Sequence, residues 1–171
     1  MQSTAKNIIL VGPMGSGKTT IGKRLSESLG LKFFDSDIEI INNTGVSIDH
    51  IFDVEGEKGF RLRESEILKK LCSVPHIVIA TGGGAVLLEA NRELIKSSGQ
   101  VVYLLSSVDQ ILRRTSKSKT RPLLEKSNNR RKTIMDIVAA RDSLYREVAS
   151  LIIDTDRKNL KDVIDEIIKA L

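Results

Sequence analysis

A chain of 171 residues, 40% hydrophobic and 29% charged, has the composition of one globular domain, which excludes a disordered or collagen-like chain. The single cysteine, Cys72, cannot form an internal disulfide, and the apolar run from Ile8 to Val11 is too short for a signal peptide or a membrane span; a cytoplasmic protein is expected. The net charge of +5 leaves nucleic acid, an acidic membrane and a small anionic substrate open as partners.

Short apolar runs alternate along the chain with amphipathic stretches. Asn7–Val11, Lys32–Phe34, His76–Ala80, Val101–Leu105 and Leu151–Ile153 read as strands buried on both faces, and the rhythm predicts an α/β fold with a mainly parallel sheet. Ile21, Leu25 and Leu29 recur every four residues in the first helix, which Gly30 should end. A last helix is expected from about Asn159 to Leu171. Only the polar, basic stretch Ser116–Asn129 breaks the composition, and it reads as a mobile excursion within one domain spanning 1–171.

Directly after the first strand, Gly12-Pro13-Met14-Gly15-Ser16-Gly17-Lys18-Thr19 satisfies the pattern G-x-x-x-x-G-K-[ST] at a strand-to-helix turn. Glycines let the backbone wrap closely enough for its N–H groups to face phosphate oxygens, and the helix N-terminus adds positive potential. Lys18 then reaches the β- and γ-phosphates of ATP, and the Thr19 hydroxyl ligates Mg²⁺.

The metal also calls for an acid. Phe33-Phe34-Asp35-Ser36-Asp37 and Leu151-Ile152-Ile153-Asp154 both offer one at the end of an apolar run. The early segment is preferred, because a right-handed crossover returns it to the sheet beside the P-loop, whereas the late strand belongs at the far edge. If that strand continues, Asp35 and Asp37 point to opposite sides, one toward metal and one toward substrate. Alternatively Asp35 or Ser36 caps a helix beginning near Ile38.

Two predicted helices carry charge inside their apolar stripes. In Glu57–Leu71 the stripe is Phe60, Ile67, Leu68 and Leu71, with Glu64 inside it and Arg61 at its border; in Arg130–Ala149 it is Ile134, Ile137, Val138, Tyr145 and Val148, with Arg141 between. An inward charge must be paired. Either Arg61 and Arg141 face a common cleft and bind a substrate carboxylate, or they form structural Arg–Glu pairs. Thr81-Gly82-Gly83-Gly84 follows the third strand, at the end where parallel sheets bind ligands; close backbone approach and a plain tight turn fit it equally.

Nine basic residues lie between Arg113 and Lys132 against Glu125 alone. Arg121 stands out among them, since Pro122 extends its backbone and Leu123-Leu124 give a lid something to dock with. The remaining 18 basic residues are outnumbered by 21 acidic ones, so positive charge is concentrated in this stretch. With aromatic residues at 4% and no Trp, stacking platforms for nucleic acid are scarce. Neither nucleic acid nor membrane is an expected partner.

GPMGSGKTT, FFDSD, TGVSIDHIFDVEGEKGFRLRE, TGGGAV, KTRPLL, RDSLYREVA and DTDRKN, in this order and spanning nearly the whole chain, closely resemble the shikimate kinase family. The resemblance implies a monomeric, nucleoside-monophosphate-kinase-like three-layer sandwich with a five-stranded parallel sheet in order 2-3-1-4-5. It also implies a lid at about 113–130 and a substrate-binding helical region at about 36–64. The implied reaction transfers the γ-phosphate of ATP to the 3-hydroxyl of shikimate, on the way to chorismate and the aromatic amino acids. By matching position, Gly15, Ser16, Gly17, Lys18, Thr19 and Thr20 bind nucleotide, and Thr19 and Asp35 serve Mg²⁺. Asp37 bonds the substrate hydroxyls and helps accept the proton. Arg61 and Arg141 hold the substrate carboxylate, with Glu64 orienting them and Gly82, Gly83 and Gly84 lining the site. Arg121 approaches the γ-phosphate, and Arg114 and Arg157 flank adenine. A gluconate or nucleoside monophosphate kinase of the same fold is the nearest rival.

Overall fold

The computed structural model describes residues 6–116 and 129–171. Arg121 and the centre of the expected lid, including Pro122 and Leu123-Leu124, lie outside the described residues.

Strand β1 (Asn7–Val11) is buried along its whole length and pairs in parallel with β3 (Ile77–Ala80) on one side and β4 (Gly99–Leu105) on the other. Strands β2 (Lys32–Asp35) and β5 (Leu151–Asp154) complete a five-stranded parallel sheet in the order β2-β3-β1-β4-β5. Alternate residues supply two cores. Ile9, Val11, Ile77, Ile79, Val101 and Tyr103 face one layer of helices, while Ile8, Leu10, Val78, Val102 and Leu104 face the other. This double burial is why the central strands read as unbroken apolar runs.

Helix α1 (Lys18–Leu29) leaves the P-loop from Gly17, ends at Gly30 in the left-handed conformation, and packs Ile21 and Leu25 into the second core. Against the first core lie α2 (Ser36–Thr44), α3 (Ile48–Cys72), α4 (Glu89–Ser98) and α6 (Arg130–Val148), with Cys72 half-buried among the aliphatic side chains. Helix α5 (Val108–Thr115) meets α6 through Ile111 and Ile134, and α7 (Leu160–Ala170) covers the second core beside α1. Helix α3 is longer than the expected Glu57–Leu71 because two helices run together across Gly56, at φ 71° and ψ −179°; the expected helix is the part after that kink.

A candidate phosphoryl-transfer site at the C-terminal edge of the sheet

Two adjoining cavities open at the ends of β1, β2 and β3, where the strand termini, loops and helix N-termini meet. One, of about 490 Å³, runs along the P-loop. The other, of about 360 Å³, lies between α2, α3, the triple glycine and α6. Met14, Asp37, Gly82 and Gly83 belong to the walls of both.

In the P-loop, Gly15 and Gly17 take φ of 74° and 93°, which a side chain would resist. A Cβ on Gly15 would also sit 2.9 Å from Thr115 of α5. The Lys18 ammonium is buried and donates to the carbonyls of Gly12 at 2.7 Å and Pro13 at 2.9 Å. It thus spans the mouth of the loop, poised to exchange those carbonyls for phosphate oxygens. Ser16 is fully buried beneath the loop, and Thr20 lines the cavity beside Thr19.

Thr19 Oγ1 donates to Asp35 Oδ2 at 2.6 Å, while Asp35 Oδ1 accepts from the backbone N–H groups of Asp37 and Ile38. Asp35 therefore caps the helix with one oxygen and reaches Thr19 with the other. The strand does not continue as considered above. It stops at Asp35, the helix begins at Ser36 rather than near Ile38, and Asp37 sits in the first helical turn, where the dipole favours a carboxylate. Asp154, the rival acid, is exposed on the edge strand and accepts from the Asp156 N–H. Mg²⁺ needs only one or two protein oxygens and completes its octahedron with water and phosphate, so the Thr19–Asp35 pair fits it. Among the described residues no cluster of three or more His, Cys, Asp or Glu is placed to hold a metal.

Arg61, Glu64 and Arg141 converge on the second cavity. Arg61 Nη1 donates to Glu64 Oε2 at 2.7 Å, its Nη2 reaches Glu57 at 3.3 Å, and its guanidinium lies over the Phe60 ring. Glu64 is fully buried, and its Oε1 has no hydrogen-bond partner among the described residues. Burial pushes its carboxyl above the usual range, against the opposing pull of Arg61. Arg141 is 7% exposed, yet no carboxylate forms an ion pair with it among the described residues. Glu64 bonds Arg61 directly and feels Arg141 only through space.

The triple glycine is required by close packing rather than by turn geometry, since Gly82, Gly83 and Gly84 all avoid positive φ. A Cβ on Gly82 would stand 2.7 Å from Glu64 Oε1 and 2.9 Å from Asp37 Oδ1, and one on Gly84 would overlap the Arg61 guanidinium. Gly83 passes between the P-loop and Arg141.

On the P-loop side Arg114 donates to the Gly15 carbonyl at 3.1 Å, and partial burial holds its guanidinium below its usual pKa. Arg157 is exposed, with a left-handed φ of 58°, and it is Lys158, with Thr155 and Leu160, that lines the cavity. Local sequence pattern carries no sign of the left-handed turn at Arg157, so nothing in it marks Lys158 as a wall residue. Phe52, whose ring centroid is 4.8 Å from that of Phe60, also lines the second cavity, and the Ile48–Phe52 spacing of four is its signal in sequence. The flanks of the basic stretch are tied down, Arg130 to the Thr115 carbonyl and Arg131 to Asp109. Among the described residues no helix is long and apolar enough to cross a membrane.

The family model described as shikimate kinase matches residues 14–171. A shikimate kinase of Thioalkalivibrio sulfidiphilus is 52% identical over 94% of this chain and 84% of its own. The solved shikimate kinase from Acinetobacter baumannii in complex with shikimate superposes with a TM-score of 0.95 at 47% identity, covering 98% of this chain and 93% of its own. A gluconokinase from Sinorhizobium meliloti, at a TM-score of 0.60 and 18% identity over 95% of this chain and 89% of its own, shares the fold alone.

Proposed function

The chain belongs to the shikimate kinase family, and we propose from its site that it transfers the γ-phosphate of ATP to the 3-hydroxyl of shikimate, giving 3-phosphoshikimate and ADP. The observation that carries this reading is the position of Asp37, in the walls of both the P-loop cavity and the cavity of the two arginines.

The buried guanidiniums of Arg61 and Arg141 hold the substrate carboxylate, Arg61 kept in orientation by Glu64. With the carboxylate anchored, a ring hydroxyl is carried toward Asp37. The hydroxyl oxygen forms the new bond to the γ-phosphorus, the bond from that phosphorus to the β–γ bridging oxygen breaks, and the hydroxyl proton passes to Asp37. P-loop N–H groups and the Lys18 ammonium hold the phosphate oxygens as charge develops. Thr19 and Asp35 would hold Mg²⁺, which supplies neutralisation of β- and γ-phosphate charge. Arg114, beside Gly15, is assigned to the base side of the nucleotide, and Arg157, exposed outside the cavity wall, is placed there by its sequence match alone. Arg121 is assigned to the γ-phosphate, and the lid to about 113–130, by their sequence match. The same reading makes the protein a cytoplasmic monomer.

ADP release measured with Mg²⁺-ATP and a panel of shikimate, gluconate and nucleoside monophosphates tests the proposal. Turnover is expected with shikimate; its absence, or faster turnover with gluconate, overturns it.

A further inference from the structure

Tyr145 lies one helical turn beyond Arg141 on α6 and is 1% exposed. Its hydroxyl donates to the Gly83 carbonyl at 2.6 Å, joining residues 62 apart in sequence. Burial pushes the phenol up to about 12, so it remains a donor throughout the neutral range. Its ring packs 5.1 Å from that of Tyr103 on β4, whose own hydroxyl donates to Asp142 at 2.8 Å. Helix α6 is thus clamped to the sheet through Tyr103–Asp142 and to the triple-glycine turn through Tyr145–Gly83.

We infer that Tyr145 is a positioning residue for the substrate carboxylate, acting through the Gly83–Gly84 peptide. That peptide is planar and trans, so fixing the direction of the Gly83 carbonyl also fixes the Gly84 N–H on its opposite side. Its two residues approach the two guanidiniums. A Cβ on Gly83 would be 3.7 Å from Arg141 Nη1, and one on Gly84 would overlap Arg61. Held by Tyr145, the carbonyl has a donor of its own. Released, it becomes a strong acceptor beside Arg141 and competes with a carboxylate for that guanidinium. The hydroxyl therefore keeps Arg141 available and holds the turn at a set distance from the helix that carries it. Tyr145 does not itself belong to the described walls of either cavity, so its effect on substrate runs through the wall residues it meets, Gly83 and the Arg141 side chain.

The inference rests on the carboxylate reading of Arg141 and is tested by Tyr145→Phe, which keeps the ring and removes only the donor. The shikimate KM is expected to rise about three- to tenfold, the yield of one such hydrogen bond, with kcat and the KM for ATP within twofold of the parent. Tyr103→Phe is the control. It removes a neighbouring, partly buried hydroxyl bond without touching Gly83, and its shikimate KM should stay at the parent value. An unchanged shikimate KM in Tyr145→Phe, or an equal rise in Tyr103→Phe, overturns the inference. A second measurement does not depend on Tyr145→Phe folding. The chain has only two tyrosines, so 3-fluorotyrosine incorporated into Tyr103→Phe reports on position 145 alone. Its ¹⁹F resonance should shift on adding shikimate, and a resonance that stays fixed counts against the proposal. No shikimate turnover by the parent protein would sink the carboxylate reading itself, whereas normal parent turnover with a silent Tyr145→Phe sinks only this inference.

Discussion

Arg61 and Arg141 are both buried guanidiniums in one cavity, but only Arg61 has carboxylate partners among the described residues. Their removal should therefore read differently. For Arg141→Ala the shikimate KM is expected to rise about 10- to 100-fold, as for loss of a charge-assisted hydrogen bond, while the KM for ATP holds. An unchanged KM with only lowered stability would return Arg141 to a structural role. Gly84→Ala should weaken shikimate binding by a different route, because its methyl must displace the Arg61 guanidinium; overpacking of this kind costs about 1–3 kcal/mol. Glu64 gives a pH prediction. Its folded pKa is raised, chiefly by burial, so its contribution to stability is complete below its ordinary value of 4.5 and is lost as pH rises through the raised value. Denaturant titrations of the parent and Glu64→Gln from acid to neutral pH should show the parent losing stability relative to the variant over that window. A constant difference across pH would refute this.

At the scale of elements, the β2–α2 junction brings a helix cap and the proposed metal site together at one residue. Asp35 ends the strand, caps the helix with Oδ1 and bonds Thr19 with Oδ2, so the strand terminus, the helix N-terminus and the P-loop are tied at a single carboxylate. The two roles are separable. Asn caps a helix as well as Asp does but brings no negative charge, so Asp35→Asn should change stability by less than about 1 kcal/mol while raising the Mg²⁺ concentration needed for half-maximal rate. Asp35→Ala should add loss of the cap, about 1 kcal/mol. Urea unfolding together with Mg²⁺ titration of activity distinguishes them; equal Mg²⁺ requirements in parent and Asn variant would remove Asp35 from the metal site. Helix α6 is a second such element. Tyr145 ties it to the triple-glycine turn one helical turn from Arg141, and Tyr103–Asp142 ties it separately to β4.

For the whole molecule, two cavities meeting at Asp37 imply two binding events that stabilise the same fold. Ligand at about 100 times its Kd should add about 2.7 kcal/mol, or roughly 5–11 °C in Tm for a domain of this size. Mg²⁺-ADP is expected to raise the Tm of the parent and Arg141→Ala alike, and shikimate that of the parent by more than that of the variant; thermal melts with each ligand decide it, and equal stabilisation of both by shikimate would contradict the assignment. The layered architecture follows from local pattern. Apolar runs bounded by glycine, helical stripes and a P-loop at the first strand–helix turn specify a parallel α/β sheet without reference to distant residues. The inward charges of Glu64 and Arg141 were legible for the same reason, since each interrupts a stripe that burial demands. Whether those charges pair with each other, and why three glycines follow β3, depended on which helices come together over the sheet. Tyr145 reads in sequence as one more stripe residue and acquires a partner only because α6 crosses the triple-glycine turn. Periodicity records which side of an element is buried, whereas the identity of the atoms that meet there is set by contacts between distant segments, and those exist only once the chain has folded.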